Sequence, residues 1–302
     1  MTASTQRRIL ALVGAVVVLV WTVPGFAQGF PSELVSTEWL AANYGKLDIR
    51  IIDMRMEVRD YWTSHLPSAL YLSPEALRWP ENGVPVQLLP AEALAQLLGR
   101  MGIIPGTIIV LYSEKNGFMP FYLLWALDYI GHRNCGVLEG GFEKWKAENR
   151  FLTQDYQVKA RPAAYALPAK LRSEVRATKD EVKQSLGGGA VLLDTRALET
   201  YTGERGAWKR RGHIPGAVHR FWSESLTPDG SWKSREELKR DFASLGVTAE
   251  KKIIVYCGSG QMSSHTYFVL KHILGFPSVR NYDAGFGAWA ADAELPVDNS
   301  RK

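Results

Sequence analysis

The residue best placed to do chemistry is Cys257, in the stretch Cys-Gly-Ser-Gly-Gln-Met (257–262). The run 252–256 (KIIVY) reads as a buried strand and 263–274 as an apolar helix, so the cysteine falls at the carboxyl end of a strand, where ligand crevices form in α/β sheets. Gly258 and Gly260 allow successive amides to turn inward as an anion nest, and the following helix points its free N–H groups and positive end at the loop. Such surroundings lower a thiol pKa from about 8.5 and favour the nucleophilic thiolate. No cation stands anywhere from 257 to 264, and position 263 is serine, so the arginine of a Cys-x5-Arg phosphatase loop is missing. There is no Cys-x-x-Cys for dithiol exchange, and two cysteines do not make a disulfide framework or a usual structural zinc site.

The elements that position this loop are best seen through an internal repeat. Residues 34–55 (LVSTEWLAANYGKLDIRIIDMR) lie without gaps on 175–196 (VRATKDEVKQSLGGGAVLLDTR), which superposes Asp53-x-Arg55 on Asp194-x-Arg196. His65-Leu-Pro-Ser-Ala69 then matches His213-Ile-Pro-Gly-Ala217, with seven extra residues in the second half around Thr202-Gly-Glu-Arg205. Residues 109–145 fall on 253–289 at a constant offset of 144, which places Ser113 where the second half has Cys257, and Val279 where the first has Cys135. A site that accepts Val or Cys is a small core position, so Cys135 is expected to be a structural thiol. Thr178 with Glu181 gives a capping-box signature. The apolar runs at 51–52, 108–112, 190–193 and 252–256 alternate with helical stretches such as 119–130 and 263–274. Continuous apolar strands alternating with helices imply mostly parallel sheets covered on both faces, hence an α/β class with two like domains.

Composition agrees and narrows the partners. The 302 residues are 46% hydrophobic and 22% charged, near the globular average, and the net charge of +5 is spread without blocks, which gives nucleic-acid binding no support. At the amino terminus Arg7-Arg8, the uncharged run 9–20 and the small residues before Gln28 read as a secretory signal peptide cut after Ala27. The run is short of the roughly 20 residues of a membrane span. The expected organisation is a signal peptide over 1–27, an inactive domain over 32–150, a linker over 151–172 and a catalytic domain over 173–297. The expected place is the periplasm or outside the cell, with no stable membrane insertion after cleavage.

Taken in order and twice over, Val-Ser-Thr-Glu-Trp-Leu, Asp-x-Arg, Gly-His-Ile-Pro-Gly-Ala (212–217), the cysteine loop, and the endings Gly-Gly-Phe-x-x-Trp (140–145) and Ala-Gly-Phe-x-x-Trp (284–289) resemble the tandem two-domain members of the rhodanese (sulfurtransferase) superfamily. The resemblance implies an inactive first domain, an active second one, and transfer of a sulfane sulfur to Cys257 as a persulfide and then to a thiol, cyanide or protein acceptor, with no metal or organic cofactor. Cys-Gly-Ser-Gly is similar to members that act on 3-mercaptopyruvate, whereas thiosulfate-type members usually carry cations after the cysteine. It further implies a relay of Ser259, His65 and Asp53, and a donor carboxylate held by Arg196, with Arg205 of the seven-residue insertion second. Gly258, Gly260, Gln261 and Met262 would line the donor. Each relay residue has a second reading: Asp53 ties down its strand end, His65 orders the turn before its proline, and Ser259 satisfies the loop's own amides. The chain departs from the mercaptopyruvate pattern after Gly260, where Gln261 to His265 replaces the commoner Val-Thr-Ala, and this leaves thiosulfate or a persulfide-carrier role open.

Overall fold

The structure is a computed structural model that describes residues 33–81, 83–156 and 161–299. The expected signal peptide, 1–27, lies outside the described residues. The strands are β1 Leu34–Val35, β2 Ile49–Asp53, β3 Ala69–Tyr71, β4 Arg78–Glu81, β5 Val84–Leu88, β6 Ile108–Tyr112, β7 Cys135–Leu138, β8 Val191–Asp194, β9 Val218–His219, β10 Ile253–Tyr256 and β11 Val279–Tyr282. The helices are α1 Thr37–Asn43, α2 Val58–Thr63, α3 Ala91–Arg100, α4 Met119–Tyr129, α5 Gly141–Ala147, α6 Lys179–Gln184, α7 Leu198–Tyr201, α8 Arg235–Ser244, α9 Gln261–Phe268 and α10 Gly285–Ala291.

Two parallel sheets result, in the orders β1-β7-β6-β2-β3 and β11-β10-β8-β9. Their registers reproduce the sequence repeat: Ile109 pairs with Cys135 as Ile253 pairs with Val279, and Ile52 pairs with Leu70 as Leu193 pairs with Val218. The central strands β6 and β10 are buried at every position, as their uninterrupted apolar runs require of a sheet covered on both faces. Among the described residues the second sheet has no counterpart of β1. In its place stands a single parallel bridge between Arg176 and Asn281. The capping box of Thr178 and Glu181 opens α6 as expected.

The two halves share one core. Leu111, Leu123 and Trp125 of the first belong to the same buried cluster as Val255, Tyr267 and Phe268 of the second. At the seam the ring of Phe121 in α4 meets that of its repeat partner His265 in α9, edge to face at 4.8 Å. Two elements differ from the sequence reading. The helix expected over 263–274 starts two residues earlier, at Gln261, and continues beyond Phe268 as a π-turn over Val269–Ile273. The antiparallel hairpin β4–β5 was not foreseen, because Trp79, Pro80 and Glu81 show neither apolar alternation nor a tight-turn signal. Among the described residues no helix is long and apolar enough to cross a membrane.

Candidate active site

Cys257 is the residue after β10 and is 2% exposed. The loop it opens is shaped by glycines with distinct duties. Gly260 caps α9 with φ +83°, and a Cβ there would lie 2.6 Å from Asp283 Cα. Gly285, at φ +63°, opens α10, and its Cβ would lie 2.5 Å from Gly258 O. Only glycine tolerates both the conformation and the approach. With that side chain absent, Phe286 N–H donates to Cys257 O at 2.8 Å and Gly287 N–H to Gly258 O at 2.9 Å. The Ala-Gly-Phe motif therefore clamps the cysteine loop from the next strand. The first half keeps the clamp, with Phe142 N–H on Ser113 O at 2.9 Å, but holds a serine in it.

Beneath the loop lie residues that the sequence reading missed. Ser263 Oγ is 3.6 Å from Cys257 Sγ and 2.7 Å from Asn281 Oδ1, and Asn281 Nδ2 donates to Gly260 O at 3.0 Å. Across the seam, Arg78 of β4 donates through Nη1 to Gln261 Oε1 at 3.3 Å and to Glu75 at 2.9 Å. Asp283, against Gly260, accepts Leu88 N–H from β5 at 2.9 Å and is paired with Arg176 at 2.9 Å. The first half's hairpin thus forms one wall of the second half's loop. Of the expected lining residues, Gly260 and Gln261 are buried, while Gly258, Ser259 and Met262 are half-buried.

Arg196 is built into the site by its own motif. Its Nε donates to Asp194 at 2.9 Å, Nη2 reaches Asp194 and the Gly212 carbonyl, and the guanidinium lies 4.1 Å from the Phe286 ring centroid. Burial works against this cation, but the hydrogen bonds and charge of Asp194 more than offset it, and the Cys257 sulfur is within its electrostatic reach. Nη1 is buried and has no hydrogen-bond partner among the described residues. Arg205 is exposed.

The expected relay of Ser259, His65 and Asp53 is not drawn together. Asp53 is taken by Arg55 Nη2 at 2.6 Å and by Tyr112 O–H at 2.6 Å. His65 stacks on Tyr61 at 3.9 Å, and its ring nitrogens face the carbonyls of Tyr61 (2.8 Å) and Asp155 (3.1 Å). The second half repeats this arrangement, with Asp194 on Arg196, His213 stacked on Tyr201 at 3.8 Å, and His213 Nδ1 on Tyr201 O. A motif built alike in a half with the thiol and a half without it has a structural duty in both. Cys135 opens β7, is 7% exposed, and burial pushes its thiol up.

Comparison with known proteins agrees with this construction. The pattern of the rhodanese-like domain matches residues 36–148 and again 178–292. The chain belongs to the rhodanese family. This rhodanese chain is 34% identical over 286 residues to a Thermus thermophilus protein named sulfur carrier protein TtuD, covering 90% of the chain and 98% of that protein. It is 31% identical to a Corynebacterium glutamicum protein named thiosulfate sulfurtransferase, covering 91% and 93%. Among solved structures, an anaerobic ergothioneine biosynthesis enzyme from Chlorobium limicola in complex with trimethyl histidine superposes with a TM-score of 0.80 at 24% identity, over 89% of this chain and 71% of that one. That likeness shows the fold.

Proposed function

We propose that the chain moves a sulfane sulfur from a small anionic donor, 3-mercaptopyruvate first and thiosulfate second, through a Cys257 persulfide to a thiophilic acceptor. Sulfurtransferase activity as such is supported by the rhodanese domains and by relatives bearing that name. The observation that carries the donor reading is the loop itself. Cys257 sits at the head of α9 with no cation from 257 to 264, while Arg196, whose buried Nη1 has no hydrogen-bond partner among the described residues, is in electrostatic reach of its sulfur. A single fixed cation suits a monocarboxylate, because a guanidinium recognises a carboxylate through charge-assisted N–H donors. With 3-mercaptopyruvate the Sγ thiolate forms an S–S bond, the S–C bond breaks, and the donor's thiol proton ends on the methyl group of pyruvate. Gln261, Met262 and the half-buried Ser259 line the donor's path, with Arg205 as an outer cation.

A second reading, delivery of the sulfur to a protein, is favoured by the relative named a sulfur carrier. In both readings the catalytic domain is 173–297, the inactive one 32–150 and the linker 151–172, and the chain acts outside the cytoplasm after loss of 1–27. The deciding measurement is thiocyanate formation with each donor plus cyanide. Turnover with 3-mercaptopyruvate exceeding that with thiosulfate, lost in Cys257→Ser and kept in Cys135→Val, is expected. Turnover that survives Cys257→Ser would overturn the reading. One added sulfur by intact mass, with no release to cyanide, would favour the carrier.

A further inference from the structure

The reading above gives Cys257 a charge that comes and goes, and the structure places one movable proton donor beside it. Ser263 Oγ faces three acceptors: Asn281 Oδ1 at 2.7 Å, Gly260 O at 3.1 Å and Cys257 Sγ at 3.6 Å. The Asn281 amide has one allowed orientation, since its Nδ2 donates to Gly260 O at 3.0 Å and a carbonyl oxygen only accepts. Its Oδ1 therefore faces the serine, whose single proton must be shared among the three. Ser263 and Asn281 are both fully buried.

The internal repeat shows that the fold does not need this pair. At the constant offset of 144 the counterparts of Cys257, Ser263 and Asn281 are Ser113, Met119 and Val137. Where the thiol is absent, both supporting positions are apolar. A buried hydroxyl and amide cost stability unless they are hydrogen-bonded, and the copy manages with hydrocarbon there. The pair thus accompanies the thiol: it bonds the loop at Gly260 O, but the half without the thiol builds the same clamp without it.

We propose that the Ser263 hydroxyl follows the charge on Cys257, donating to Sγ when it is a thiolate and to Asn281 Oδ1 when the charge has moved to the outer sulfur of the persulfide. In this scheme Asn281 is a positioning residue. With thiosulfate as donor, a lone pair of the Sγ thiolate forms the bond to the sulfane sulfur. The bond between the two thiosulfate sulfurs breaks, its electron pair leaves with sulfite, and no proton is transferred. The negative charge now lies on the outer sulfur. On discharge, cyanide carbon bonds to that sulfur, the inner S–S bond breaks, and its electron pair returns to Sγ as thiocyanate leaves. Ser263 swings back to meet it. Its contribution therefore falls on discharge, where Sγ is the leaving group, and on the resting thiolate.

The test compares wild-type protein with Ser263→Ala and Ser263→Thr in two assays. In discharge of the thiosulfate-loaded protein to cyanide, Ser263→Ala is expected to be about tenfold slower, the scale of one lost hydrogen bond to a charged group, and Ser263→Thr to recover most of the rate. In alkylation of the unloaded protein by iodoacetamide at neutral pH, Ser263→Ala is expected to be about threefold slower, because the greater nucleophilicity of the less stabilised thiolate offsets part of the loss. The thermal midpoints of the three proteins should agree within a few degrees. Equal discharge and equal alkylation in all three forms would overturn this inference while leaving sulfur transfer intact. A protein that takes no sulfur but shows the alkylation difference would keep the inference and overturn the donor reading.

Discussion

At Arg196 Nε and Nη2 lock the end of β8 to Asp194 and the Gly212 carbonyl, while Nη1 is buried and has no hydrogen-bond partner among the described residues. Removing the side chain strands a fully buried carboxylate, a change that costs roughly 3–5 kcal/mol. Arg196→Ala is accordingly expected to lower the unfolding free energy in urea by that amount, besides weakening donor capture. An unchanged urea midpoint together with a raised KM would mean that Arg196 serves only the donor. At this scale the sequence was readable where chemistry and loop coincide. Cys257, its glycines and the buried Cys135 follow from strand, turn and repeat. For His65 and Asp53 the sequence left two readings, relay and structural tie, and the repeated pattern of His213 and Asp194 supports the tie without testing the relay. Ser263 and Asn281 were missed because their contact joins a helix to the next strand across 18 positions. Only the replacement of Met119 and Val137 in the repeat signals it.

Helix α9 shows how an element can be legible in kind and illegible in detail. The apolar run 267–270 is plain in the sequence, yet the helix's start at Gln261 depends on the left-handed cap at Gly260, and its π-turned end depends on what it packs against. That packing gives the two ends of the element opposite responses to pH. His265 lies among the rings of Phe121, Trp222 and Trp232, and burial, assisted by Arg220, pushes it down to about 3. In the unfolded chain it titrates near 6.5. The stability it confers as a neutral ring is present above pH 6.5 and is lost as pH falls toward 3, by at most about 1.4 kcal/mol per unit. For His272, in the π-turn, burial works against the cation, but hydrogen bonds to Asp128 and Glu33 more than reverse it and raise the group to about 9. Its contribution is present below pH 6.5 and is lost as pH rises through 9. Urea midpoints measured from pH 5 to 9 should therefore fall at both ends. His265→Phe, which copies Phe121, should flatten the segment below 6.5, and His272→Gln the segment above it. Profiles unchanged by either substitution would refute the assignment.

For the whole molecule, the decisive fact is that the repeat does not make two separable bodies. The core runs through α4 and α9 without a break, Trp125 Nε1–H donates to Val175 O at 3.0 Å, and the loop's wall comes from the opposite half. Either half alone would expose the seam as a large apolar face, including Phe121, Trp125, Tyr267 and Phe268. A fragment of residues 173–299 is expected to be aggregated or largely unfolded by circular dichroism and inactive, with activity returning on co-expression with 33–156. A fragment that folds alone and turns over sulfur at the full rate would contradict this.

The hairpin β4–β5, which brings Leu88 to Asp283 and Arg78 to Gln261, also bears on how such a chain can change through descent. A duplicated half that has no nucleophile is usually free to decay, because nothing is lost when it drifts. Here the half with serine supplies one wall of the other's cysteine loop, so selection on that loop restrains substitutions in both. The first half can alter its own chemistry cheaply, but it cannot be deleted, and the contacts of its hairpin are where variation among descendants should retune the acceptor or donor without touching the cysteine.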